Sequence, residues 1–140
     1  MKLGTFYIIV KDIEKSIDFY RKLLQEEPLY RNDDRWVQFS NSIALYNSSY
    51  DKKIISNETA ERFNQAYIEY FLADKGAPKN NIVIFNFEVE DLMDEYIRLK
   101  DLSIGEVSNL MYVNVNMPYW YFNIIDPDGN VIEITGKYKQ

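Results

Sequence analysis

The chain has 140 residues, 46% of them hydrophobic and 27% charged, with a formal net charge of -6. It has no cysteine and no histidine, which excludes disulfides, thiolate chemistry, and the commonest general base and transition-metal ligand. Catalysis, if there is any, must rest on carboxylates, tyrosines, lysines or backbone groups.

A chain of this length can fill one domain, or two small packed units, without covalent staples. No basic patch stands out, so nucleic acid is not an expected partner, and the acidic balance is that of a soluble surface. Met1-Lys2-Leu3-Gly4 leads straight into strand-like sequence. With no apolar leader and no run long enough to cross a bilayer, no membrane association is expected and the cytoplasm is the expected location.

Residues Leu3 to Val10 are β-branched and aromatic on both faces, as in a strand covered on both sides. Asp12 is placed to cap a helix. That helix carries Ile13, Ile17, Tyr20 and Leu24 at helical spacing and is expected to run to about Leu24. Short strands are expected at Leu29 to Asn32, Arg35 to Ser40 and Ser42 to Asn47, with turns at Asn32-Asp33-Asp34 and Asn41.

The order then repeats. Asn81 to Glu90 reads as a strand, and Asp91 as a second cap. Leu92, Tyr96 and Leu99 stand at the same offsets from Asp91 as Ile13, Ile17 and Tyr20 from Asp12. Further strands are expected at Gly105 to Asn116, Tyr119 to Ile125 and Asn130 to Thr135, the last two joined by the turn Asp126-Pro127-Asp128-Gly129-Asn130. The chain thus divides into a first unit (1–47), an insertion (48–80) and a second unit (81–140), together one domain. In the insertion, Asn57 is placed to cap a helix bearing Ala60, Phe63, Tyr67 and Phe71, ended by Gly76-Ala77-Pro78. It reads as a lid, a dimer contact or a packed linker.

The run Phe6 to Tyr20, with Ser16-Ile17-Asp18-Phe19-Tyr20 in its helix, resembles the opening of vicinal-oxygen-chelate proteins, the glyoxalase/bleomycin-resistance/dioxygenase superfamily. The closing Asp126 to Glu133 resembles that family's last hairpin. The resemblance implies an α+β fold of two βαβββ repeats forming a concave mixed sheet, a cavity on that sheet, and usually a homodimer. In many members it also implies a divalent metal held by four side chains, one from the first and one from the last strand of each unit. Carried onto this chain, those positions fall on Thr5, Ile84, Leu45 and Glu133. Leu45 comes from aligning Asn41-Ser42-Ile43-Ala44-Leu45 on Gly129 to Glu133. Only Glu133 keeps a ligand-type side chain, whereas a catalytic ion needs about three. No metal and no other cofactor is expected, and the chain looks closer to the drug-sequestering, metal-free branch.

Strand alternation extends the candidate site. With Thr5 facing the cavity, Tyr7 and Ile9 do too; with Ile84, so do Asn86 and Glu88; with Glu133, so do Val131 and Thr135. The resemblance puts Tyr121, Asn123 and Ile125 inward as well. The expected ligand-binding set is Thr5, Tyr7, Ile9, Leu45, Ile84, Asn86, Tyr121, Asn123 and Glu133, with Trp36, Tyr119 and Trp120 at its rim or in a dimer contact. Ile9, Ile84 and Leu45 read more readily as core than as ligand contacts, Tyr7 and Tyr121 also as core residues with satisfied hydroxyls, Asn86 and Asn123 also as partners of backbone groups, and Glu133 also as a carboxylate with a local tyrosine or asparagine partner. The leading expectation is a metal-independent protein that binds a small aromatic or cationic molecule. The alternatives are a lyase or isomerase using Glu133 with Tyr7 or Tyr121 as acid/base groups, and an interaction module whose cavity is filled by its own side chains.

Overall fold

Twice in the chain a strand runs into an aspartate, and twice that aspartate starts a helix. Asp12 and Asp91 both have extended backbones. The Asp12 side chain accepts from the Lys15 amide, and that of Asp91 from the Met93 and Asp94 amides. These bonds satisfy amides that the first helical turn leaves without partners. Each helix also closes on a left-handed residue, Gln25 and Ser103. The structure is a computed structural model that describes residues 6–40, 43–57, 62–63, 65–72, 84–114 and 118–139.

The first half runs β1 (Phe6–Val10), α1 (Ile13–Leu24), β2 (Tyr30–Asn32), β3 (Trp36–Gln38) and β4 (Ile43–Asn47). After α2 (Ser48–Asn57) and α3 (Gln65–Leu72), the second half repeats the pattern as β5 (Phe85–Val89), α4 (Leu92–Leu102), β6 (Met111–Asn114), β7 (Pro118–Ile125) and β8 (Val131–Gly136). The sheet orders are β1-β4-β3-β2 and β5-β8-β7-β6. In each, the first strand pairs in parallel with the last, and the other pairs are antiparallel. This is an α+β fold of two βαβββ modules, each with its own four-stranded mixed sheet.

The chain divides into two compact units, Met1–Arg21 with Gln25–Pro78, and Lys22–Leu24 with Lys79–Gln140. In the first sheet Ile8, Leu45 and Val37 form one cross-strand row and are all buried. On α1, Tyr20 is buried and its ring lies 6.5 Å from that of Phe39. In the second, Phe122, Ile124, Ile132 and Ile134 fill the buried side, and Tyr96 of α4 meets Phe122 edge-on at 5.1 Å. Period-two alternation therefore gives each sheet a helix-covered side and an open side.

The insertion departs from expectation. Asn57 ends α2 rather than starting a helix, and the single expected helix is two. The start lies earlier, where the Asn47 side chain accepts from the Ser49 amide. Asp51 then stands in the first turn of α2, where an acidic group complements the helix dipole. The expected stop at Gly76-Ala77-Pro78 lies outside the described residues.

Candidate functional site

The open side of the first sheet is built from two rows. Tyr7, Ala44 and Gln38 stand opposite one another, as do Ile9, Tyr46 and Trp36. Tyr7 is 56% exposed and Ile9 43%. The rings of Tyr7, Trp36 and Tyr46 form one cluster. Tyr7 lies 5.5 Å from Trp36 and meets Tyr46 edge-on at 6.0 Å, and Trp36 lies 6.5 Å from Tyr46. Such separations are favourable for tilted and edge-to-face aromatic pairs.

One of the expected site residues is misplaced on this sheet. Leu45 pairs with Ile8 and Val37 and is fully buried on the helix-covered side. The residue equivalent to Glu133 is Ala44: Ala44 stands opposite Tyr7 as Glu133 stands opposite Asn86. Alignment from the preceding turn put the position one residue too far along, and a one-residue slip changes face. Thr5 lies outside the described residues.

The open side of the second sheet has different chemistry. Its rows are Asn86, Glu133 and Asn123, then Glu88, Thr135 and Tyr121. The Asn86 side-chain amide donates to Glu133 Oε1 at 2.7 Å, and the Thr135 hydroxyl approaches Asn86 Oδ1 at 3.4 Å. Glu133 thus has an amide partner, one of the two kinds expected. Asn123 Oδ1 is buried without a hydrogen-bond partner among the described residues. Ile84, one residue before β5, is 44% exposed.

The turn before β8 sets which side chains share this row. The Asp126 carboxylate accepts from the amides of Asp128 and Asn130, and from the Asn130 side chain. Gly129 supplies the left-handed residue, with φ of 85°. Trp120 does not belong to this face. It pairs with Gly136 in the buried register of Phe122 and Ile134, and stacks on Tyr138 at 4.4 Å.

Sequence reading missed Tyr46, Gln38 and Ala44 as open-face residues. It also missed a clamp beside them. Asp51, fully buried, accepts from Arg35 Nε at 2.8 Å, Arg35 Nη2 at 3.0 Å and the Tyr46 hydroxyl at 2.7 Å. The Arg35 guanidinium also lies 5.2 Å from the centre of the Tyr46 ring. The helix-start signal at Asn47 to Asp51 was legible, but the partner of Asp51 was not.

Of the four metal positions, the three among the described residues do not fit a divalent ion. Ala44 and Ile84 have no donor atom in their side chains, and Glu133 is one carboxylate already held by an amide. Among the described residues no three His, Cys, Asp or Glu gather into a cluster that could hold a metal. No chemistry through such an ion is derived for this site.

Comparison with known proteins agrees with the architecture. A protein of unknown function from Agrobacterium tumefaciens is 20% identical, with a TM-score of 0.65 over 98% of this chain and 94% of that one. A lactoylglutathione lyase from Agrobacterium tumefaciens is 16% identical, with a TM-score of 0.63 over 96% and 92%. A glyoxalase-related enzyme from Fulvimarina pelagi is 14% identical, with a TM-score of 0.63 over 97% and 88%. At these identities the likeness is one of fold. No curated protein matches the chain. The family model for the Glyoxalase/Bleomycin resistance protein/Dioxygenase superfamily matches residues 2–134. With that match and its paired βαβββ modules, the chain belongs to the glyoxalase/bleomycin resistance protein/dioxygenase superfamily.

Proposed function

We propose that this protein binds a small aromatic or cationic molecule on the open sides of its sheets, without a divalent metal. The observation that carries this reading is the row Asn86, Glu133 and Asn123. The partner of Glu133 among the described residues is the neutral Asn86 amide. A half-buried carboxylate supported by a neutral amide is a group that a ligand cation can pair with. The exposed Tyr7 and the rings beside it supply apolar contact of the kind small-molecule sites use.

Native mass spectrometry of freshly purified protein tests this directly. The expected spectrum shows no stoichiometric transition metal. One zinc, nickel, iron or manganese per chain would overturn the metal-independent reading.

The second reading, a lyase or isomerase with Glu133 as its acid/base group, has one observation in its favour. The Asn86 amide donates to Oε1 and Tyr121 stands in the next row; in this reading Oε2 takes the substrate proton. Turnover lost in Glu133→Gln and Tyr121→Phe, with ligand affinity kept, would establish it. The proposal also includes a cytoplasmic homodimer, supported by exposed apolar residues such as Leu72; a monomer mass by light scattering would reject the dimer. Among the described residues no helix is long and apolar enough to cross a membrane.

A further inference from the structure

The side chains of Ser16, Asp51 and Asp126 are the buried polar groups among the described residues. Asp126 is accounted for by the turn it closes. Asp51 is different: its bonds leave its own helix and reach Tyr46, a member of the aromatic cluster of the first sheet, and Arg35 beside it. An ion pair with one buried partner is weak support for stability, because desolvation offsets much of the attraction. Its effect on the neighbouring surface is clearer. The bidentate contact orients the guanidinium and cancels its charge, and that guanidinium stands against the Tyr46 ring.

We infer that Asp51 is a specificity-determining positioning residue, which holds Arg35 against Tyr46 so that the aromatic face of the first sheet selects an uncharged planar ring. This rests on reading that open face as a ligand surface. A cation approaching Tyr46 meets a ring with a guanidinium already against it, so the attraction of the π system for positive charge is partly spent. An anion finds Arg35 already matched by a carboxylate. A neutral ring meets neither obstacle and gains contact with Tyr7, the most exposed member of the cluster.

Calorimetric titration with three probes of one ring system tests this: naphthol, naphthalenesulfonate and naphthylmethylammonium. The Glu133→Gln protein, taken as the parent because it lacks the carboxylate of the second sheet, is expected to bind naphthol tightest through this face. In Asp51→Asn the Arg35 charge is no longer cancelled, and naphthalenesulfonate binding is expected to strengthen about tenfold while naphthol changes little. Asp51→Asn with Arg35→Met removes both charges, so a folding defect from one unmatched buried group does not block the test. There the sulfonate gain is expected to vanish, and naphthylmethylammonium to bind about fivefold tighter as the Tyr46 ring is vacated. Unchanged affinities of the three probes in both variants, with native circular dichroism, would overturn the inference. So would a preference for the cation in the Glu133→Gln parent. Failure of all three probes to bind the parent protein would instead sink the reading of the open face as a ligand surface.

Discussion

The two βαβββ units share a strand order, a register and an aspartate cap, yet their open faces have little in common. On the helix-covered sides the rows correspond: Ile8, Leu45 and Val37 in one unit, Phe87, Ile134 and Phe122 in the other. On the open sides, Tyr7, Ala44 and Gln38 stand where the other unit has Asn86, Glu133 and Asn123. Likewise, Ile9, Tyr46 and Trp36 stand where the other unit has Glu88, Thr135 and Tyr121. Packing against a helix tolerates only apolar side chains of suitable volume. The open side is under no such constraint, so one copy has become aromatic and the other polar.

The difference can be attacked first through Leu45. Its place in the buried row predicts that Leu45→Ala costs about 4 kcal/mol, the range for a fully buried leucine. An open-face leucine would cost far less, so a loss below about 1 kcal/mol in chemical denaturation would reinstate the other register. A second contrast lies at the ends of β4 and β8. A Cβ on Gly136 would sit 2.5 Å from the Val89 carbonyl oxygen, whereas the residue paired with Val10 in the first unit is Asn47, which carries a side chain. Gly136→Ala is expected to cost about 3 kcal/mol, since backbone must shift. Asn47→Ala should cost about 1 kcal/mol, from its lost bond to the Ser49 amide. Equal effects in thermal unfolding would show that the two strand ends are packed alike. The smallest contrast is between the caps. Asp91 serves two amides and Asp12 one, so Asp91→Ala should lower stability by about 1.5 kcal/mol and Asp12→Ala by about 1. The reverse order would show that the first helix depends more on its cap.

Much of this was legible in the sequence, because local signals and the repeat agreed. Asp12 and Asp91 announced the helices, and Asp126-Pro127-Asp128-Gly129-Asn130 announced the turn that sets β8. Leu45 was misplaced because a row is set by pairing with a distant strand. The expected turn at Asn41 lies outside the described residues, and an error of one residue in register inverts the face. Asn57 was misread because asparagine suits either end of a helix. The Asp51 clamp was hidden for a different reason: Arg35 and Asp51 come together only once β3, β4 and α2 have folded. Trp120 suggested an exposed rim, but alternation along β7 turned it toward Gly136 and Tyr138.

Ligand titration of Glu133→Gln after exhaustive dialysis against a chelator bears most directly on metal-independent binding. A cationic aromatic probe such as naphthylmethylammonium should bind the wild-type protein equally well before and after chelation. The substitution should weaken binding about tenfold through loss of one close charge, with the unfolding temperature nearly unchanged because Gln keeps the shape and can still accept from Asn86. Binding that disappears with the chelator, or that is indifferent to Glu133, would contradict the account.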